Sequence, residues 1–311
     1  LPYYFYGGRS TADLHLETAA RNGFTPQSMG CPIIISDGLY GTDDVRVEIP
    51  DGLLLKEGYM AKGIADADAM IVVSHFKGHG SGVYGGSIKN VAIGCSSKRG
   101  KIDVHICLHQ TVGWNSWSFN GDNCLGEECP DHVLCDSMCP VGALRIKEDH
   151  AEWDGDACIG CLGHQRPLFR CELWGREKFE DWRNWFLVAM GDAATGYIRH
   201  MGPENVGYLT YAMDISPACD CVPGSDRPVI PNLGVLASRD MVAIDVAALD
   251  MSVQAPGIQG SAAEEKGVMN PGDEKFTAIV GMSQWITANT CRLLGSGSME
   301  YELVEPLVSE D

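Results

Sequence analysis

Seven of the chain's 13 cysteines fall between positions 124 and 171, at Cys124, Cys129, Cys135, Cys139, Cys158, Cys161 and Cys171. In a chain with no visible secretory segment, thiols at that density point to metal or redox chemistry rather than to a disulfide-stapled loop. The informative piece is Cys135-x3-Cys139-Pro140, followed by Gly142-Ala143-Leu144. It matches the end of the C-x2-C-x2-C-x3-C-P run whose thiolates hold 4Fe-4S clusters, where the cysteine before proline crosses to a second cluster. The beginning of the run is stretched here. On the crossing rule, Cys124, Cys129 and Cys135 take one cluster with Cys171 as the remote ligand, and Cys139, Cys158 and Cys161 take the second. That second set is one thiolate short, and His164 stands where the third cysteine of C-x2-C-x2-C would be. Imidazole replaces thiolate on one iron of Rieske centres, so His164 is a candidate ligand. Two clusters are the first expectation, one cluster the second, and a structural zinc site the third, because only Cys158 and Cys161 have the zinc spacing.

A second stretch with chemical content runs from His75 to Asn90, with Lys77, His79 and Lys89 among five glycines at positions 78, 80, 82, 85 and 86. Glycine at that density frees the backbone for close approach to a ligand. Between His75 and His105 stand five cations, Lys77, Lys89, Lys98, Arg99 and Lys101, against one carboxylate, Asp103, a local charge of +4 in a chain of -19. Backbone amides and lysines in such a loop hold a phosphate or carboxylate. The loop is neither a Walker loop nor a clear G-x-G-x-x-G fingerprint. The competing reading is a loop that packs on the cysteine module and offsets its negative charge. His75, Lys77 and His79 alternate and so share a face of an extended segment; one of the histidines is a candidate acid, base or metal ligand. Cys219 and Cys221, at i and i+2, suit a further metal or cluster contact. Cys31, Cys95, Cys107 and Cys291 read as core thiols.

The elements that must position these residues follow from pattern. Ser10 to Asp13 predicts an N-cap and a helix ending at Asn22-Gly23. Ile33 to Ile35 and Ala69 to Val73 read as buried strands, with Leu53 to Asp66 as a helix before the second. Strand, helix, strand at this spacing predicts a mainly parallel sheet flanked by helices, an α/β fold, with ligands at the carboxyl ends of its strands. Arg176 to Asp192 reads as a helix, and Leu209 to Ile215 and Val229 to Ala237 as strands. Ser238 to Asp240 caps a buried helix through Met251, and Phe276 to Val280 is strand-like.

With 311 residues, the chain is long enough to bury a sizeable core. Against 23 Lys+Arg stand 42 Asp+Glu, which argues against nucleic acid as a partner. Acidity instead suits docking to a basic redox partner, or is only a solvated surface. No apolar run is long enough to span a membrane, and the cysteine usage points to the cytoplasm. The chain opens at Leu1 without an initiator methionine, as expected where an upstream piece has been removed.

Taken together, His75-Phe-Lys-Gly-His79, Gly85-Gly-Ser-Ile-Lys89-Asn90, Gly94-Cys95, Gly100-Lys101, the cysteine module, Cys219-Asp220-Cys221 and Gly234 to Asp245 resemble the uncharacterised iron-sulfur centre proteins grouped as domain of unknown function 362. The resemblance implies an α/β domain in two parts, residues 1–118 and 176–311, with a small ferredoxin-like (α+β) iron-sulfur module inserted at 119–175. It also implies low-potential electron transfer in anaerobic metabolism. The chain departs from that pattern in its widened first motif, in His164, in the insertion before Cys171 and in its opening. The glycine-lysine stretch alone is similar to proteins of the lactate racemase type, which keeps a small-molecule pocket in view. The expected function is transfer of single electrons through one or two 4Fe-4S clusters to a partner protein or to an anionic small molecule near Lys77, His79 and Lys89. Two alternatives stand beside it. One is an oxidoreductase working at that pocket with His75 or His79 as proton donor, and the other is a subunit or assembly factor with structural clusters.

Overall fold

The computed structural model describes residues 1–2, 8–106, 121, 124–130, 132–139, 141–154, 157, 182–221 and 226–305. Cys107, Cys158, Cys161, His164, Cys171 and the expected helix start at 176–181 lie outside the described residues. The chain mixes helix with small sheets and divides into two compact units, one of Leu1–Asp68 with Ala92–Met201, the other of Ala69–Val91 with Gly202–Asp311.

The first unit pairs β1 (Asp44–Glu48) antiparallel with β2 (Glu57–Ala61), Arg46 opposite Tyr59. Both pack beside the long helix Trp182–Met201, whose Phe186, Leu187, Met190 and Tyr197 are buried. Asp192 on this helix accepts the backbone N–H groups of Leu53, Leu54 and Leu55 at 2.8, 2.7 and 2.8 Å. The turn into β2 is thereby pinned by a carboxylate. The helix expected over Leu53 to Asp66 is instead this turn, strand β2 and the short helix Lys62–Ala65. The physical reason is tertiary: a Cβ on Gly58 would stand 2.9 Å from the Tyr197 ring, so the bare backbone presses on the tyrosine in a way that no helix face allows. Ile33 to Ile35 form no strand either, and Ile34 is exposed. The helix Ala12–Arg21 is present as expected, capped by Thr11 and followed by Gly23 at φ +88°.

In the second unit, β3 (Met70–His75) pairs parallel with β8 (Val206–Ala212), and β8 pairs antiparallel with β9 (Gly234–Ser238). The expected mainly parallel sheet is therefore a mixed three-stranded one. Between these strands in sequence lie the hairpin β4 (Lys77–His79) and β5 (Val83–Gly85) and, in the first unit, the hairpin β6 (Leu144–Ile146) and β7 (Ala151–Trp153). Helix Met241–Gln254, capped by Asp240 as expected, packs on β8 and β9 and buries nine side chains. Lys275–Val280 is a helix rather than a strand, ended by Gly281 at φ +81°, the left-handed stop that follows many helices.

One turn of this unit sets the rest. Asp245, fully buried on helix Met241–Gln254, accepts the N–H groups of Ser87 and Ile88 at 2.7 and 3.0 Å and the Tyr84 hydroxyl at 3.3 Å. Gly86 lies so close that a Cβ would sit 2.6 Å from the carboxylate. Asn90 then ties the same turn to β3, donating to Val73 O and Ser74 Oγ at 3.2 and 2.9 Å.

Two outcomes test this packing. Gly86→Ala forces a methyl onto the carboxylate and is expected to destabilise the protein by about 1–3 kcal/mol, read as a lower urea midpoint at unchanged m. Burial raises the Asp245 pKa from 3.8 to about 6. A raised carboxylate contributes stability that is complete below the unfolded value and is lost as pH rises through the folded one. Between about pH 4 and pH 6 wild type should therefore lose stability that Asp245→Asn does not lose; equal pH slopes in the two proteins would refute the assignment.

Candidate functional site

The second unit brings together most of the residues that the sequence singles out for chemistry. Strand β3 ends at His75 and β4 begins at Lys77, so both side chains leave on one side and meet Asp220. His75 Nδ1 lies 3.0 Å and Lys77 Nζ 2.7 Å from Asp220 Oδ2. Burial alone would raise the Asp220 carboxyl, but the hydrogen bonds from Lys77 and His75 prevail and hold it below its ordinary value. The other ring nitrogen of His75 bonds Met213 O at 2.8 Å. His75 is thus held at both ends, which makes it a positioning group more than a mobile base.

His79, at the end of β4, is nearly buried. Its Nδ1 accepts N–H groups from Ser81 at 3.2 Å and from Gly82 at 2.7 Å. The tight turn to β5 supplies them, with Val83 at φ 65°. A nitrogen that accepts two N–H donors carries no proton, so neutral His79 holds its hydrogen on Nε2. That nitrogen faces sulfur, 3.7 Å from Cys221 Sγ. Burial, then the nearby Lys89 and Lys77, lower the His79 pKa, against hydrogen bonding to Cys219, which raises it.

Cys219 is the centre of this group. Its sulfur accepts Lys89 Nζ at 3.3 Å and the Cys221 backbone N–H at 3.3 Å. Hydrogen bonding from Cys221 lowers the Cys219 pKa most; burial opposes it, and His79 and Lys89 add to the lowering. Cys221 moves the other way, raised by its hydrogen bond to Cys219 and by burial. With the Lys89 ammonium and the Cys221 N–H both aimed at Cys219 Sγ, negative charge on the pair is favoured at Cys219. Asp220 between them points away to Lys77 and His75, so the three residues of Cys219-Asp220-Cys221 organise two adjoining charge pairs.

The ligand atoms of His79, Cys219 and Cys221 lie within 4.8 Å of one another, and among the described residues they are the group that could hold a single metal ion. The 3.7 Å edge between Cys221 Sγ and His79 Nε2 is close to the roughly 3.6 Å that Zn–S and Zn–N bonds subtend at a tetrahedral angle. The second coordination shell does not fit. A metal-bound histidine donates its other N–H outward, whereas His79 Nδ1 here receives two donors. As placed, Nε2 offers a proton to sulfur rather than a lone pair to metal.

The remaining expected cations serve other ends. In the first unit, Arg99 makes a bidentate pair with Asp44 at 2.9 and 2.6 Å, Lys98 donates to Ser10 O at 3.2 Å, and Lys101 bonds Ser96 O. Of the +4 stretch, Lys89 stands at the Cys219 thiol and Lys77 at the neighbouring Asp220. Of the expected core thiols, Cys95 and Cys291 are buried and Cys31 is exposed. A roomy cavity of about 780 Å³ opens instead at the amino ends of β3 and β8, beside Met70, Ile71, Tyr208, Ser238 and Arg239. It holds none of the residues singled out for chemistry, and the site at the carboxyl end of β3 is the better candidate.

In the first unit, Cys124, Cys129, Cys135 and Cys139 lie along a 3-10 turn (Gly126–Glu128) and the helix His132–Met138. The turn is held to the β6–β7 hairpin by Glu127 N–H on Lys147 O at 3.1 Å. Gly126 N–H donates to Cys124 Sγ at 3.3 Å and Ala143 N–H to Cys139 Sγ at 3.1 Å. Backbone donors aimed at sulfur suit thiolates that carry charge, as cluster ligands do. The profile of a domain of unknown function (DUF362) matches residues 4–250. No curated protein and no solved structure matches the chain.

The hydrogen-bond pattern fixes a spectroscopic outcome. Long-range ¹H–¹⁵N correlation of the imidazoles should show His79 as the Nε2–H tautomer, titrating below the ordinary histidine value, and Lys89→Met should move its pKa upward. A protonated Nδ1 in the neutral form would refute the arrangement and reopen the metal reading.

Proposed function

The chain belongs to the DUF362 family, and from that premise we propose that it is an iron-sulfur redox protein carrying one or two 4Fe-4S clusters. The observation that carries the reading is the order of the cysteines together with the N–H···S bonds at Cys124 and Cys139. Cys124, Cys129, Cys135 and Cys139, with Cys158, Cys161, Cys171 and His164 beyond the described residues, would hold the clusters. Such a cluster supplies one-electron oxidation and reduction. The chain's own part is to hold charge at the sulfurs: an N–H donor on a thiolate favours the more negative, reduced state and so raises the potential. The acidic surface, at a formal -19, suits docking to a basic donor or acceptor protein.

A second reading, an oxidoreductase acting on a small anionic molecule, has its own support. Lys77, His79, Lys89 and Cys219 converge at the end of β3, three of them nearly buried. In that reading Lys77 and Lys89 would orient the anion and His79 Nε2–H would stand as hydrogen-bond donor. No helix among the described residues is long and apolar enough to cross a membrane.

Protein purified without oxygen should contain about eight irons and as many labile sulfides per chain for two clusters, or about four for one, with a signal in EPR after dithionite. Cys139→Ala should lose iron, and Cys219→Ser should keep all of it. Iron-free protein holding zinc at the same cysteines would sink the redox reading.

A further inference from the structure

We propose that Cys219 and Cys221 form a redox-active dithiol, with Cys219 as the attacking thiolate and Cys221 as the resolving thiol, acting on a small-molecule disulfide. The inference does not depend on the iron-sulfur reading, because it uses no cysteine of the 124–171 run.

Three donors converge on the pair. Lys89 Nζ and the Cys221 N–H each stand 3.3 Å from Cys219 Sγ, and His79 Nε2, oriented by the amides of Ser81 and Gly82, faces both sulfurs. A thiol surrounded by donors and a lysine ammonium is held as thiolate, the nucleophilic form. A core thiol behaves in the opposite way: Cys95 and Cys291 are buried, and burial pushes the Cys95 thiol up. The charged groups facing the pair are Lys89, His79 and, through Asp220, Lys77 and His75. The two sulfurs lie within 4.8 Å, so rotation of the side chains can bring them to the roughly 2.05 Å of a disulfide. Cys221 is exposed while Cys219 is 7 % exposed. A sulfur so nearly covered is reached by a flexible small disulfide and not by a cystine set in the surface of a folded protein.

The exchange balances as follows. The Cys219 thiolate attacks one sulfur of the substrate, a Cys219–substrate S–S bond forms, and the substrate's own S–S bond breaks. The expelled thiolate takes the proton of Cys221. The Cys221 thiolate then attacks Cys219 Sγ, closing the Cys219–Cys221 disulfide and expelling the second substrate thiolate, which takes a proton from water. Two electrons pass from the dithiol to the substrate, giving two thiols, and the reverse exchange with a small dithiol restores the pair.

The test is reaction of the full chain with glutathione disulfide, followed by peptide mass mapping. Wild type should lose two hydrogens across Cys219 and Cys221, and Cys221→Ser should trap one glutathione on Cys219. The trap should form faster than modification of exposed Cys31, and Lys89→Met should slow it by about three- to fourfold for each pKa unit by which the thiol comes to stand above the working pH. Wild type needs no substitution to fold, so alkylation of its Cys219 and Cys31 by iodoacetamide near pH 6 serves as the second measurement; Cys219 should react first. Equal reactivity of the two, glutathione trapped on Cys221 in Cys219→Ser at the same rate, or a bound zinc or iron that leaves with Cys219→Ser and blocks the exchange until chelated would each overturn the proposal. Failure to find clusters would leave these outcomes unchanged.

Discussion

The buried carboxylate of Asp245 is the constraint on which the second unit depends. It meets two amide donors and a phenol in an interior position. A buried acceptor without them would cost several kcal/mol. That demand fixes the backbone of Gly85 to Asn90, because only a turn with both amides exposed inward satisfies it, and only glycine at position 86 leaves room for the carboxylate. Once the turn is fixed, Lys89 is delivered to Cys219 and Asn90 to β3. A residue on helix Met241–Gln254 thus determines where a lysine stands with respect to a thiol, with no contact to that thiol itself.

The site then follows from local neutrality. Two lysines, a carboxylate and a thiolate sit together in a chain whose overall charge is strongly negative. Lys77 is matched by Asp220 and Lys89 by Cys219. The alternation of Cys219-Asp220-Cys221 makes this geometry available, since neighbours in an extended or turning segment point to different sides.

How much of this was legible in the sequence depends on the range of the forces involved. The cap at Asp240, the helix after it and strand β3 were readable because they rest on local chemistry and periodicity. The grouping of His75, Lys77 and His79 was readable from alternation, and Cys219 and Cys221 from their spacing. That Lys98, Arg99 and Lys101 leave the cationic loop was not, because their partners Asp44, Ser10 and Ser96 are chosen by tertiary packing. The same holds for β2, where Tyr197 selects a strand over the helix that the pattern of Leu53 to Asp66 favours, and for Ile33 to Ile35, an apolar run with no strand partner. Phe276 to Val280 carried its signal in Gly281, a helix stop placed directly after the apolar run. The importance of Asp245 had no local signal at all; it sits in an apolar helix and its partners are about 160 residues away in sequence.

The two sets of cysteines answer different physical requirements, and their spacings show it. Thiolates of a cubane sit on different irons, so they must stand apart, each with its own backbone donor to spread its charge. Three to five residues between successive cysteines, on a turn and a helix with an N–H at Cys124 and at Cys139, meet that requirement. A dithiol needs the reverse: two sulfurs close enough to share one proton and to bond, with the donors gathered on one of them so that only one is the nucleophile. A single residue between Cys219 and Cys221 brings them that close, and Lys89 and His79 break the symmetry. The one-electron chemistry proposed for the first unit and the two-electron thiol chemistry proposed for the second would each rest on spacing, before any substrate is considered.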